Sequence, residues 1–389
     1  MKTNKIILLP ALVALLGLAS SSNTRSMKTL NDFLKDQVIS GQTPSVQYAF
    51  FDVDSTIHTF RYGVKNVAKA EPIEASSQYH LFSVTKTFTA LAVLQLAEAG
   101  KVDLSRPASD YLPSFPYPKE ITVGQLLQHT AGIPNPIPLR WAHTEAEHAG
   151  FDERGRFEAL FREHNQLEFK PGTAFKYSNL GYVLLGQLIE EVSGQRFEEY
   201  ISEHIVRKSG ADNHQLGFTI DSNHQATGYH KYWSFSNLLL GVLIDKEKFM
   251  GKREDGWKPF EPFYNDGKAY GGMFGTIDGL IHYAQALLRT DSPLLKESSK
   301  VVLFAEGIAG NKPTGMSMSW FTGELKGNRY VAHAGGGGGY YVELRIYPDL
   351  GVGSVILYNR SGMTDERMLN KTDSYYLTHG DSPETIATR

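Results

Sequence analysis

Cysteine is missing from all 389 residues. Its absence excludes a disulfide framework, a thiol nucleophile, a thiolate metal site and the acylated cysteine that anchors a lipoprotein. Long apolar runs are missing as well: the stretch at 6–18 has 13 residues and contains Pro10, short of the roughly 20 that span a bilayer. Neither a His-Glu-x-x-His helix nor a Gly-x-x-x-x-Gly-Lys-Ser/Thr loop occurs, which removes the common zinc-hydrolase and phosphate-loop signatures. The 13 histidines are scattered, and the spacing of His224 and His230 has little value for a metal. No metal site is expected. With 39 Lys and Arg against 42 Asp and Glu, the formal net charge is −3, which argues against nucleic acid as a partner. No internal repeat is present.

Lys2 and Lys5, the apolar run at 6–18 and then Ala19-Ser20-Ser21-Ser22 follow the charged, apolar, small-residue order of a secretory signal peptide. We expect residues 1–22 to be a leader cleaved near Ala19 to Ser22. A bacterial periplasmic or secreted location would follow, with no stable membrane span after cleavage.

The composition, 41% hydrophobic and 21% charged, suits a sizeable core in one large or two moderate domains. Residues 27–40 place Leu30, Phe33, Leu34 and Val38 at helical spacing and stop at Gly41. Two strand-like runs, 45–51 and 57–62, flank Asp52-Val53-Asp54-Ser55 as a hairpin would. Strand patterns return only at 329–332, 340–347 and 351–358. Between them helix signals dominate. The expected fold is therefore α+β: an antiparallel sheet from both chain ends (27–65 and 316–360), flanked by terminal helices, with a mostly helical insertion at 66–315. Residues 361–389 read as a polar, partly frayed tail. The segment 230–260, with Trp233, Phe235, Trp257 and an apolar run at 238–244, reads as a cover of the core, with a substrate lid or dimer contact as alternatives. Pro134-Asn135-Pro136-Ile137-Pro138 with Arg140 and Trp141 reads as a stiff loop.

Ser83-Val84-Thr85-Lys86 opens an apolar-periodic helix. Side chains three apart on a helix are surface neighbours, so the Lys86 amine can reach the Ser83 hydroxyl. A serine becomes a nucleophile only when a base takes its proton, and a lysine serves as base only when desolvation or neighbouring charge lowers its pKa. Ser-x-x-Lys alone is also what a capping serine followed by a solvated lysine looks like. Two further segments add weight: Tyr177-Ser178-Asn179, before a second apolar-periodic run that stops at Gly194, and His333-Ala334-Gly335, which opens five consecutive glycines, 335–339.

These three motifs, in this order and at these spacings, resemble the serine β-lactamase and penicillin-binding-protein superfamily. Tyrosine at the head of the second motif resembles the class C branch, with its β-lactamase-like esterases and D-stereospecific peptidases. The stretches 126–134, 226–229 and 271–276 are similar to the same family, so the likeness runs from about residue 30 to about 360. It implies a β-lactamase/transpeptidase-like fold whose active site lies in the groove between sheet and helical parts. It also implies acyl transfer without a cofactor: Ser83 as nucleophile, Lys86 and Tyr177 sharing the proton transfers, Asn179 bonding Lys86 and the substrate, and the backbone N–H groups of Ser83 and Gly336, beside Gly335, holding the oxyanion. Which of Lys86 and Tyr177 is the base stays open, and a simple helix cap is the alternative role for Asn179. The implied substrate is a small ester, amide or peptide. His333 stands where β-lactamases usually carry lysine, which weakens the site for an anionic β-lactam relative to a neutral ester. A class C-type β-lactamase and a non-catalytic penicillin- or cell-wall-peptide-binding module are the alternatives. The oligomeric state is not legible.

Overall fold

The computed structural model describes residues 29–232, 245–361 and 367–378. The leader at 1–22 and the apolar run 238–244 with Trp233 and Phe235 lie outside the described residues. Seven strands form one antiparallel sheet: β1 (Ser45–Asp52), β2 (Thr56–Asn66), β3 (Glu71–Pro72), β4 (Phe321–Leu325), β5 (Asn328–Gly337), β6 (Tyr340–Tyr347) and β7 (Val352–Tyr358), in the order β4-β5-β6-β7-β1-β2-β3. The two chain ends meet where β1 pairs with β7, from Val46 opposite Tyr358 to Asp52 opposite Val352. The β1–β2 turn is tied by Asp52, whose carboxylate accepts the N–H groups of Asp54 and Ser55.

β1 is buried on both faces, and its period of two sends Val46, Tyr48 and Phe50 to one core and Ala49 and Phe51 to the other. Helix α1 (Leu30–Ile39) covers the first face and a helical region the second. That region includes α2 (Thr85–Glu98), α3 (Asn179–Ser193) and α4 (Ile277–Leu288). The α+β architecture expected from the sequence is the one observed. β5 is longer than its apolar pattern predicts: it continues past Ala332 through His333 and the glycines to Gly337, because backbone pairing with Tyr340 to Leu344 of β6 needs no side chains.

Within the tail expected at 361–389, residues 367–378 are not frayed. Residues 367–378 are packed: a short helix α5 (Met368–Asp373) buries Met368 and Leu369 against the sheet, and Leu377 after it joins the same core. The segment's polar character hides an ion cluster. Arg345 on β6 donates to Glu343 at 2.9 Å and lies 3.8 Å from Asp373, while Asp373 also accepts from Tyr347 (2.8 Å), Ser354 (2.7 Å) and Tyr48 (3.1 Å). All three charged side chains are buried, and the guanidinium lies 3.9 Å from the centroid of Tyr330.

Candidate active site

Ser83 sits in a single 3-10 turn, Phe82–Val84, that runs directly into α2. Phe82 has φ of 44°, an uncommon left-handed conformation for a large side chain, and the turn is held by Leu81 N–H to Met273 O (2.9 Å) and Val84 N–H to Leu81 O (3.1 Å). α2 is buried from Thr85 through Leu94, so each of its polar side chains must find an internal partner. Thr85 accepts from Met273 N–H, and Thr89 donates to Ala269 O at 2.6 Å. One turn along the same face, Lys86 Nζ donates to Tyr270 O at 2.7 Å and to Ser83 Oγ at 3.1 Å. The expected serine–lysine pair is therefore in hydrogen-bond contact.

Lys86 is fully buried and, among the described residues, forms no ion pair. Its ammonium lies over three tyrosine rings, Tyr177, Tyr270 and Tyr182, at 4.9, 5.3 and 5.7 Å from their centroids. Those contacts favour the charged amine by about 0.5–2 kcal/mol each. Complete removal from water is the larger effect, worth up to 3–5 pKa units for a fully buried group, and burial holds the Lys86 pKa well below that of a free lysine.

The second motif reaches the same place from α3. Ser178, not Asn179, caps the helix by accepting Gly181 N–H at 3.2 Å, and its own hydroxyl donates to Pro134 O at 3.0 Å. Asn135 accepts Asn179 N–H at 3.0 Å, so the proline-rich loop borders this segment. Tyr177 lies beside Lys86 and faces Ser83; its buried hydroxyl has no close hydrogen-bond partner among the described residues. Burial pushes its pKa above the usual phenol range, opposed only in part by the Ser83 hydroxyl. The expected Asn179–Lys86 hydrogen bond is absent. Lys86 is aimed at Tyr270 O instead, and Asn179 Oδ1 is buried without a partner among the described residues.

The third motif closes the site from the sheet. β4 pairs with β5 only as far as Phe321 opposite Ala332. Beyond it, His333 to Gly337 pairs with β6 alone among the described residues, and the Ser83 turn packs against this stretch. Gly335 is sterically required there: a Cβ on it would meet Leu81 O at 2.1 Å and Ser83 N at 3.0 Å. Gly336 has room, its nearest neighbour being Tyr340 O at 3.6 Å. His333 is buried, its ring centroid 6.2 Å from that of Tyr177. Its Nδ1 is 2.8 Å from Ala334 O; a carbonyl only accepts, so Nδ1 carries the proton and Nε2 of the neutral ring is a bare acceptor. Burial, reinforced by Lys86, lowers the His333 pKa to about 3, and the residue is uncharged at neutral pH.

A sequence model of the Beta-lactamase family matches residues 30–374. The chain belongs to the beta-lactamase family. Penicillin-binding protein 4* of Bacillus subtilis (strain 168) is 26% identical to it over 330 residues, 82% of this chain and 69% of that protein. Protein flp of Staphylococcus aureus (strain MW2) is 29% identical over 212 residues, 52% of this chain. The chain spans only 41% of flp's own length in that match. The octameric penicillin-binding protein homologue from Pyrococcus abyssi superposes with a TM-score of 0.71 at 24% identity, covering 91% of this chain and 78% of that one. D-amino acid amidase from Ochrobactrum anthropi SV3, complexed with L-phenylalanine, gives a TM-score of 0.70 at 20% identity, covering 88% and 95%. At these identities the solved structures establish a shared fold.

This beta-lactamase family chain also uses groups that its three motifs do not contain. The Tyr270 carbonyl, which receives Lys86, precedes the 271–276 stretch. His129, inside the 126–134 stretch, stacks on Tyr177 at 4.3 Å and accepts Ser178 N–H at 3.1 Å, so it backs the tyrosine and fixes its segment. Both stretches were legible as family signatures, but neither carried a role. Phe321 and Tyr182 had no sequence signal. Among the described residues, no group of His, Asp and Glu could hold a metal ion.

Proposed function

We propose that this chain is a serine hydrolase that cleaves small esters or amides, of esterase or D-amino-acid peptidase type, through an acyl-enzyme on Ser83. The observation that carries the reading is a buried amine, without an ion pair among the described residues, 3.1 Å from the Ser83 hydroxyl. A neutral Lys86 takes the Ser83 proton as Oγ bonds to the carbonyl carbon. The resulting oxyanion is held by the backbone N–H groups of Ser83 and Gly336. Tyr177, protonated because burial raises its pKa, passes a proton to the leaving oxygen or nitrogen as the scissile bond breaks. Asn179 positions the substrate. Water then attacks the acyl ester by the reverse proton path, releasing the acid and restoring Ser83. No metal or organic cofactor takes part. The leader-like N-terminus supports a periplasmic or secreted setting. Ser83 Oγ should attack the phosphorus of a fluorophosphonate probe, displace its fluoride and add one adduct mass to the intact protein; the absence of that adduct would reject the reading.

The pH profile follows from Lys86. Its amine must be neutral, so kcat/KM should fall on acidification through an apparent pKa well below the ~10.4 of free lysine. A profile flat from pH 5 to 9 would count against this base.

Neutral esters are the preferred substrates. His333 brings no charge to a site where a lysine would pair with a β-lactam carboxylate, and a charge-assisted hydrogen bond contributes roughly 1.5–3 kcal/mol. Nitrophenyl butyrate should therefore be turned over faster than nitrocefin or ampicillin at pH 7.5, and His333→Lys should narrow the gap by one to two orders of magnitude at most, by about the energy of that bond. Nitrocefin hydrolysis with kcat/KM above that of the ester would return the chain to the β-lactamase reading.

A further inference from the structure

Phe321 begins β4 at the point where its pairing with β5 ends. It is one of few large apolar side chains left open, 40% exposed. Its ring lies 6.3 Å from that of Tyr177, nearly parallel at 7°, and 5.5 Å from that of His333. An exposed phenylalanine on a sheet edge is unfavourable to leave bare in water, and here it abuts two residues of the site.

Its place along β5 sets which part of a substrate it meets. Ser83 faces Gly335, and Phe321 stands opposite Ala332, three residues further along the strand, roughly 10 Å at 3.3 Å per residue. Tyr177, the residue that protonates the leaving group in the reading above, lies on the same side. Among the described residues, the two basic side chains nearest in this motif region bring no free charge: His333 is neutral, and Lys176, next to Tyr177 in the chain, is paired with Glu168.

We propose that Phe321, with Tyr177 and His333, forms the wall of the leaving-group subsite and selects an uncharged, flat, apolar leaving group such as a phenol over one bearing a carboxylate. The inference rests on the acyl-enzyme reading and adds the class of leaving group. Phe321 is a specificity-determining residue, not one that moves a proton.

The test holds the acyl group constant. Butyrate esters of 4-nitrophenol, 3-carboxy-4-nitrophenol and trifluoroethanol are compared, each normalised to its hydroxide-catalysed hydrolysis. Wild type should prefer the uncharged nitrophenyl ester to its carboxylated analogue by about tenfold or more in kcat/KM. Phe321→Ala should lower the nitrophenyl value about tenfold, chiefly through KM, and the trifluoroethyl value less than about threefold. Phe321→Lys should shrink or invert the preference against the carboxylate. Equal losses on all three esters would overturn the proposal. Failure of the parent reading looks different: no acyl adduct forms on Ser83 with any ester, and the proposal falls with it. Near-wild-type melting of both variants, expected for a half-exposed site, confirms that the fold is unchanged.

Discussion

Ser83→Ala should abolish ester turnover, by about 10⁴-fold or more, while leaving the melting temperature within a few degrees of wild type. In the proposed mechanism this hydroxyl carries the acyl group, and the 3-10 turn that presents it is held by backbone bonds and by the fit of Gly335, none of which uses Oγ. Lys86→Ala and Tyr177→Phe should each lose on the order of 10²–10⁵ in kcat. The losses should not add, because the proposed mechanism puts both residues on one proton path: Lys86→Ala/Tyr177→Phe should be little worse than the poorer single variant. Lys86→Ala also frees the Tyr270 carbonyl, so a moderate drop in melting temperature should accompany it. Steady-state hydrolysis of an activated ester decides the matter. A Ser83→Ala variant that retains more than about a tenth of wild-type rate would sink the assignment, because loss of the nucleophile should cost orders of magnitude in kcat.

Arg345→Met should destabilise the protein by about 3–5 kcal/mol, the usual cost of removing one partner from a buried ion pair. At roughly 2–4 °C per kcal/mol for a chain of 150–250 residues, and somewhat less for a longer one, that is a fall of about 6–15 °C in melting temperature. The variant leaves Glu343 and Asp373 buried with only hydroxyl and amide donors. Burial already raises the pKa of both carboxyls, and Arg345 opposes the rise more than any of their hydrogen-bond donors does. A carboxyl whose folded pKa is raised binds its proton more tightly in the native state, so its contribution to stability is present at low pH and is lost as pH rises through the folded value. Removing Arg345 strengthens that trend. The melting-temperature gap between wild type and Arg345→Met should be widest near pH 8 and should close towards pH 5, and adding Asp373→Asn should recover part of it. A gap that is the same at both pH values would show that the guanidinium contributes packing against Tyr330 rather than charge compensation.

The same cluster explains why the C-terminal segment was misread. From sequence, residues 367–378 offer scattered apolar side chains among polar ones, and an aspartate in a short helix reads as solvated. Asp373 is buried because β6 and β7 supply Arg345, Tyr347 and Ser354 from positions that β pairing alone brings together. No local pattern contains that information.

Periodicity and order determined much of the rest. The alternation in β1 and the helical spacing in α1, α2 and α3 follow from where apolar side chains must go, so the sheet built from both chain ends and its helical insertion were legible. Ser83 and Lys86 were legible as a pair because three residues on a helix fix their separation. Folding alone decided the distances between motifs far apart in the chain. It brought Tyr177 and His333 to the same amine, chose Tyr270 O rather than Asn179 as its acceptor, and set His129 behind the tyrosine and Phe321 beside it. Those choices depend on how a helix buried from Thr85 through Leu94 must satisfy each polar group it carries there. Such a requirement is set by the three-dimensional neighbours of Lys86, and the sequence around it says nothing about which they are.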